Sequence, residues 1–471
     1  MLHIESNADK PLYQQLYEQI KEDILNGFLH EGTRLVATRV LAKDLKTGRN
    51  TVESAYAQLA LEGYVEAVQG AGHIVCAVNN DIHSAYHGPA KRTGEKSAFV
   101  EPGPCRYDFY YGNLEPETFP HKIWSKLAAD ALEAAGKGYP RLPGMHAYGD
   151  VRGDRQLREE LTRYLYRSRG VVCTEEQVIV CGGLQAALSA ILQMLPAEYG
   201  AVAMEEPGYA RARIVFKRHG CAISPIPVNS DGIDLKALEA SSARMVLVTP
   251  SHQFPTGAVM PIQRRIDILR WAAAVDGIVI EDDYDSEFRY NGRPVPSLQS
   301  IDRLERTIYT GTFSKALSPG LRIGFMVLPD RLLQKFAETF AGFRCPVSLM
   351  EQKTLARFMA EGYWEKHLRK MSTLGKKKHD ALIAAITRSM GKKVRILGHN
   401  AGLHILLEFL SGEREEDLVI KAAEQGVRVY PASVSRISDP GAPASLLLGY
   451  GLLRLEDIPA GVQLMAKAWF G

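Results

Sequence analysis

Lys315 is the residue of this sequence best placed for covalent chemistry. In Tyr309-Thr310-Gly311-Thr312-Phe313-Ser314-Lys315 an apolar run gives way to small residues, so a strand should end in a turn that presents the lysine amine. Such an amine forms a Schiff base with an aldehyde cofactor. A Ser-Lys pair alone is a weak sign, because most turn lysines are solvated; its neighbours strengthen it. Glu281-Asp282-Asp283-Tyr284-Asp285 follows the apolar run Ile278–Ile280. A carboxylate at the C-terminal end of a buried strand is placed to pair with a pyridinium nitrogen. A surface acidic cluster is the plainer reading, but it leaves the preceding buried strand unexplained. Gly182-Gly183-Leu184-Gln185 opens a helix after Val178–Cys181, and the free N–H groups of a helix start bind phosphate. Thr312, Ser314 and Arg322 can bring two hydroxyls and a guanidinium to the same anion. Tyr209, after Pro207-Gly208 at another strand end, either stacks on a flat ring or packs in the core.

A second constellation lies near the N-terminus. Residues 1–78 hold seven Lys/Arg and ten Asp/Glu, yet Arg34, Arg39, Lys43, Lys46 and Arg49 cluster with Asp44 alone opposing them. Arg49 and Asn50 are side chains that read bases or hold phosphates, and Thr51 follows them at the same helix start. Gly70 and Gly72 allow a loop to approach a nucleic-acid backbone closely.

These groups need elements to position them. Residues 11–26 read as a helix with Leu12, Leu16, Ile20 and Ile24 on one face. Thr38 is placed to cap a short helix over 39–45, a turn follows at Lys46-Thr47-Gly48, and 49–61 forms a third helix with Val52, Tyr56 and Leu59 inward. Residues 64–75 read as a β-hairpin. Helix, tight turn, helix and hairpin make a winged helix-turn-helix, whose second helix enters the major groove; a three-helix protein-binding module is the competing reading. Residues 79–106 are polar and rich in turn formers, as a linker is. From 107 to 471, short apolar runs at 178–181, 201–204, 245–248, 278–280, 307–309 and 324–328 alternate with helical stretches at 184–195, 211–218 and 262–275. That alternation predicts an α/β unit with a mainly parallel sheet, whose ligands bind beyond the strand C-termini. Residues 330–471 read as its smaller α+β part, with strands at 403–409, 427–430 and 446–448.

Composition excludes several classes. With 46% hydrophobic and 24% charged residues the chain is globular, and a formal charge of +3 is no sign of a nucleic-acid binder by itself. No apolar run is long enough to span a membrane, and no signal segment opens the chain, so a cytoplasmic protein is expected. The six cysteines show no Cys-x-x-Cys pair, and His83 and His87 have no further ligands nearby in sequence, so no metal is expected.

The run from Arg39 to Leu59 (RVLAKDLKTGRNTVESAYAQL), then Glu62-Gly63-Tyr64 and the glycine wing, resembles the GntR type of winged helix. The resemblance implies DNA contacts by Arg39 and Arg49. Val36-Ala37 depart from its usual Leu-Pro, and Glu53 stands where some relatives carry a basic residue. Residues 107–471 resemble the fold-type I aminotransferase class of pyridoxal-phosphate proteins. That implies Lys315 as the Schiff-base lysine, Asp282 on the pyridine nitrogen, Tyr284 facing the ring hydroxyl, and Arg322 and Thr312 on the phosphate. Tyr148, in the string YGDVRG, looks like the tyrosine that reaches the partner subunit's cofactor, which implies a head-to-tail homodimer. The fusion, with TPSHQFPTG at 249–257 and EDDYDSEFRY at 281–290, resembles the MocR/GabR subgroup of GntR regulators. Such a protein would bind double-stranded DNA and sense a small-molecule effector, either pyridoxal phosphate itself or an amino compound. Two competing readings are an active aminotransferase with an appended DNA-binding domain and a DNA-binding protein whose large domain only dimerises. Two departures bear on turnover: Phe254 replaces the usual ring-side Asn, and Leu447 replaces the arginine that clamps a substrate carboxylate. Arg211, Arg428 and Arg436 are the candidates to hold an effector's carboxylate in its place, and a residual transamination half-reaction is compatible with the remaining set.

Overall fold

The computed structural model describes residues 2, 4–5, 10–78, 105–136, 148–290, 295–410, 412–437 and 441–471. The chain divides into two compact units, residues 1–102 and 103–471. The predicted linker 79–106, with His83 and His87, lies outside the described residues except for its last two positions.

The first unit holds α1 (Leu12–Leu25), α2 (Thr38–Asp44), α3 (Arg49–Leu61), β1 (Val65–Val68) and β2 (Gly72–Val75). Leu16, Ile20 and Ile24 of α1 and Val52, Ala55, Tyr56 and Leu59 of α3 are buried together, as their spacing predicts. β1 and β2 pair antiparallel from Val65↔Val75 to Val68↔Gly72, and Arg34 bridges to Ile74 on the outer side. The cap of α2 differs from the expected one. Thr38 is the first helical residue, Ala37 precedes it, and no side chain caps the helix. The Tyr56 hydroxyl donates to the Val36 carbonyl at 2.8 Å, and this bond fixes the start of the helix earlier than a threonine cap would.

In chain order the second unit begins with β3 (Tyr107–Asp108), α4 (His121–Gly136), α5 (Arg155–Arg169), β4 (Val178–Cys181), α6 (Leu184–Met194), β5 (Ala201–Glu206), α7 (Ala210–Arg218), β6 (Ala222–Asn229) and β7 (Gly232–Ile233). It continues with α8 (Leu235–Ala240), β8 (Met245–Val248), α9 (Ile262–Ala274), β9 (Ile278–Asp283), β10 (Thr307–Thr312) and β11 (Gly324–Val327). The eight-stranded sheet runs β4-β11-β10-β9-β8-β5-β6-β7. The pairs from β10 through β6 are parallel, and β11 alone runs against both its neighbours, β4 and β10. β4, β5, β8, β9 and β10 therefore all end at one edge, and β11 begins there. The sequence reading missed β6, whose Pro225 and Pro227 argue against a central strand; its outer side is paired only at Val228 and Asn229.

β9 is longer than its apolar run. It continues through Glu281, Asp282 and Asp283, all buried. Distant partners make this possible. Glu281 accepts from the Leu298 and Gln299 amides at 2.7 and 2.9 Å. Asp283 accepts from Arg169 at 2.7 Å and from the Tyr309 hydroxyl at 2.5 Å. A buried polar group costs little once it is hydrogen-bonded.

The remaining elements are α10 (Asp330–Thr339), α11 (Leu349–Ala360), α12 (Tyr363–Met390), β12 (Val394–Leu397), β13 (His404–Phe409), α13 (Glu415–Glu424), β14 (Val427–Arg428), β15 (Tyr430–Pro431), β16 (Ser445–Gly449) and α14 (Asp457–Phe470). A four-stranded antiparallel sheet, β12-β13-β16-β15, packs with α12–α14 into the predicted α+β part. β3 joins it by pairing parallel to β14, which brings the segment after Asp108 beside the large sheet's functional edge. Among the described residues no helix is long and apolar enough to cross a membrane.

Candidate functional site

A cavity of about 210 Å³ opens at the edge where the parallel strands end. Its lining includes Gly183, Leu184, Gln185, Tyr209, Arg211, Asp282, Tyr284, Thr312, Ser314, Lys315 and Arg322, so eleven residues singled out from the sequence converge. Five strand ends deliver them, which is how open α/β sheets build ligand sites.

At one end are anion-binding groups. Gly183 precedes α6 with φ +91°, and no side chain caps that helix, so its first N–H groups face the cavity unpaired by a cap. Arg322, itself left-handed at φ +53°, donates to the Gly182 carbonyl at 2.7 Å. The Thr312 and Ser314 hydroxyls lie 3.0 Å apart beside it. The approach of β11 to this turn requires glycine: a Cβ on Gly324 would lie 2.8 Å from Gly183 Cα and 2.9 Å from the Gly311 oxygen.

At the other end sits Asp282. It is buried, and its one side-chain contact is the Thr310 hydroxyl at 3.5 Å; no described cation pairs with it. Burial, reinforced by the charges of Asp283, Asp285 and Glu205, pushes its carboxyl up to about 8. Lys315 lies between the two ends. Its Nζ donates to the Tyr111 carbonyl at 3.1 Å and sits 4.8 Å from the centre of that ring. Burial lowers the amine to about 8, against the pull of Asp285 and Asp282. A lysine nearer neutrality is a better nucleophile.

The sequence reading missed Tyr110, Tyr111, Gly112 and Asn113, which line the cavity from just past the predicted linker; the only local signal was a pair of adjacent tyrosines. Phe254 stands where the resemblance places a ring-side Asn. The structure shows a ring 4% exposed, packed 5.2 Å from Tyr111, 5.6 Å from Tyr209 and 5.3 Å from His404. Its loop is held by Glu205, which accepts from the Thr249 hydroxyl at 2.6 Å and from Gln253 at 3.3 Å. Burial pushes the Glu205 carboxyl up to about 7. Behind this wall His252, Asp285 and His404 gather, their nearest donor atoms within 4.8 Å of one another, a cluster the sequence reading did not foresee.

The candidate effector arginines separate. Arg211 lines the cavity and donates to the Tyr110 hydroxyl at 3.0 Å. Arg428 pairs with Asp108 at 3.2 Å. Arg436 is not among the lining residues and meets the Pro443 carbonyl at 3.5 Å. The short loop after β15 carries it past the cavity, so this chain's own pocket does not support that assignment. Leu447 is buried in the middle of β16, opposite Leu406. Tyr148 stands 86% exposed outside this chain's own cavity, with the Arg344 guanidinium 6.0 Å from its ring.

On the first unit Arg39, Arg49 and Asn50 are exposed, Thr51 is half-buried, and Gly70 and Gly72 hold the wing tip at φ +82° and +90°. Arg49 is held by Glu53 at 2.6 Å.

Comparison with known proteins agrees with both halves. Residues 126–446 match the family model "Aminotransferase class I and II", and residues 12–75 match "Bacterial regulatory proteins, gntR family". The chain is 35% identical over 479 residues to "Probable rhizopine catabolism regulatory protein MocR" of Rhizobium meliloti, covering 100% of this chain and 96% of that one. This chain belongs to the MocR-type transcriptional regulators of the GntR family. It is also 40% identical over 461 residues to the "Uncharacterized HTH-type transcriptional regulator YdeL" of Bacillus subtilis (strain 168), covering 98% and 97% of the two chains. Among solved structures it resembles LysN, the α-aminoadipate aminotransferase of Thermus thermophilus, with a TM-score of 0.68 and 28% identity over 77% of this chain and 91% of that one. The MocR-type regulator thus joins a DNA-binding helix-turn-helix to a fold-type I aminotransferase domain.

Proposed function

We propose that the second unit binds pyridoxal 5'-phosphate on Lys315 and that the regulator senses a small-molecule effector there, either the cofactor itself or an amino compound. The carrying observation is Asp282, a buried carboxyl with no cationic partner among the described residues, at one end of a cavity whose other end offers an uncapped helix start and a guanidinium. A ring with a basic nitrogen and a phosphate fits that donor set. LysN, which this fold resembles, was solved with N-(5'-phosphopyridoxyl)-L-leucine. Bound there, the cofactor would supply an aldehyde that condenses with amines.

The chain's own groups divide the remaining work. Asp282 holds a proton on the ring nitrogen. Gly183, Leu184, Gln185, Thr312, Ser314 and Arg322 orient the phosphate. Tyr209 and Phe254 exclude water from the ring, and Arg211 meets an anionic group of the effector. In this reading the regulator is a cytoplasmic homodimer, head to tail, with Tyr148 serving the partner subunit's site. Its winged helices read double-stranded DNA through Arg39, Arg49, Asn50 and Thr51, with Gly70 and Gly72 close to the backbone. Phe254, which gives the ring no hydrogen bond, and the buried Leu447, which clamps no carboxylate as an arginine does, favour sensing over turnover. A ligand shifts DNA binding only if it favours one conformation of the dimer over another.

Two measurements test this. Added pyridoxal phosphate should give a visible band in the wild type and not in Lys315→Ala. Binding to a duplex selected from a random-sequence pool should then change with cofactor or with amines that perturb the band. No band refutes the site, and identical DNA binding under every condition refutes sensing.

A further inference from the structure

Behind the Phe254 wall two oxygens compete for one ring nitrogen. His252 Nδ1 lies 2.9 Å from Asp285 Oδ2 and 3.1 Å from the Tyr284 hydroxyl. His252 and Asp285 are each 2% exposed, and Tyr284 opens onto the cavity. A ring nitrogen carries a proton or a lone pair, never both. The Asp285 carboxylate is an acceptor, so Nδ1 must donate. A donating Nδ1 has no lone pair for the Tyr284 proton, and the tyrosine oxygen can only accept from it. The tyrosine proton is therefore left to point elsewhere, and the open side is the cavity. His252 Nε2 is buried with no partner among the described residues, so a second N–H there would be a buried donor that none of them satisfies. The fit is tight: a Cβ on Gly402 would lie 2.3 Å from His252 Cε1 and 2.6 Å from Asp285 Oδ2.

Building on the cofactor reading above, we propose that His252, locked by Asp285, is a positioning residue that aims the Tyr284 hydroxyl proton at the oxyanion of the bound ring. Phe254 donates nothing to that ring, so the polar contact from this wall rests on Tyr284. The groups facing the hydroxyl are Asp282, Asp285, Glu205 and Tyr111. Lys315 and Arg211 lie across the cavity. His404 stacks on the Tyr284 ring at 6.5 Å and is kept neutral by burial. Substituting His252 leaves Asp282, Glu205, Tyr111, Lys315 and Arg211 in place, while it frees Asp285 Oδ2 and removes a ring 5.1 Å from His404.

The test is the pH midpoint of the visible band formed with pyridoxal phosphate, read in the wild type, Tyr284→Phe, His252→Phe and His252→Asn. A hydrogen bond to an oxyanion favours its charged form. Losing that bond should raise the midpoint by about one unit or more in Tyr284→Phe and in His252→Phe. His252→Asn, whose amide N–H can stand where Nδ1–H stood, should stay near the wild type. Should His252→Phe fail to fold, His252→Leu, which likewise offers no donor and keeps the Asp285 charge, must give the same rise. A wild-type midpoint in His252→Phe overturns the proposal, as does an equal rise in both His252 variants, since ring packing would then be the cause. A metal ion retained one-to-one by the wild type and lost in His252→Asn also overturns it. If the wild type forms no band at all, the cofactor reading has failed as well.

Discussion

Replacing Asp282 with asparagine should move stability in opposite directions without and with pyridoxal phosphate. Burial, together with Asp283, Asp285 and Glu205, lifts the Asp282 carboxyl from 3.8 to about 8. An acid whose pKa rises on folding binds its proton more tightly in the folded chain. Its contribution is fully present below about pH 4 and is lost as pH climbs through about 8. pH 7 lies roughly three units above the unfolded pKa of 3.8 and below the folded one. At about 1.36 kcal/mol per unit, burying it costs up to about 4 kcal/mol. Asparagine has the same shape and no charge, so the cofactor-free variant should recover much of that. For a unit of about 370 residues, with an unfolding entropy of about 2.1 cal/mol/K per residue, the bound corresponds to a Tm rise of about 5 °C. With cofactor the order reverses, because asparagine cannot neutralise a protonated ring nitrogen and the variant's cofactor-induced gain falls short of the wild type's. Calorimetry of both proteins at pH 6, 7 and 8.5, with and without excess cofactor, reads both effects. A variant that melts lower than the wild type without cofactor, or that gains as much from it, refutes the unpaired-carboxylate reasoning.

Four further outcomes are expected. The Lys315 amine, lowered to about 8 by burial, must be neutral to attack an aldehyde. The rate at which the visible band forms should therefore rise about tenfold per pH unit below 8 and level off above it, whereas a flat stopped-flow profile would exclude this lysine as the nucleophile. Arg169→Met strips Asp283 of its buried guanidinium at 2.7 Å and should cost about 3–5 kcal/mol in urea unfolding; a loss under about 1 kcal/mol would show that the Tyr309 and Ser286 hydroxyls suffice. Glu53→Ala frees Arg49 from its 2.6 Å pair, so duplex binding should tighten and the slope of log K against log salt should steepen by about 0.9; an unchanged slope would mean that Glu53 does not compete with a phosphate for Arg49. Gly324→Ala places a Cβ 2.8 Å from Gly183 Cα, and equilibrium dialysis should find cofactor binding at least about tenfold weaker, about 1.4 kcal/mol, although no polar contact is touched.

What was legible in the sequence was local. Lys315, Gly183 and Tyr209 each follow a short apolar run by a few residues, so strand ends and their turns could be read in place. The three-helix-and-wing pattern was legible for the same reason, since Leu16, Ile20, Val52 and Leu59 repeat at helical spacing. What escaped depends on distant partners. Glu281 and Asp283 lie inside β9 because Leu298, Gln299, Arg169 and Tyr309 satisfy them from elsewhere in the chain. Tyr111, His252 and His404 converge on one wall from three separate segments, one of them entering through the two-residue pairing of β3 with β14. The string TPSHQFPTG was read for its phenylalanine, and the histidine two places earlier carried no local sign that Asp285 would hold it.

That wall bears on why an aminotransferase fold can serve a regulator. Groups that would hold a cofactor (Asp282, Lys315, the helix start and Arg322) sit at strand ends of the large sheet, although Lys315 also donates to the Tyr111 carbonyl from the segment that β3 anchors on the α+β part. Of the two substitutions, Phe254 gives a bound ring no hydrogen bond, and Leu447, buried in β16, offers a substrate carboxylate no clamp. In the reading proposed above, cofactor binding and turnover are separable, and the loss at Leu447 falls on turnover. A site that captured amines on a bound cofactor without the arginine that Leu447 replaces would give a reversible, concentration-dependent response. A transcription regulator needs such a response, and an enzyme under selection for rate does not.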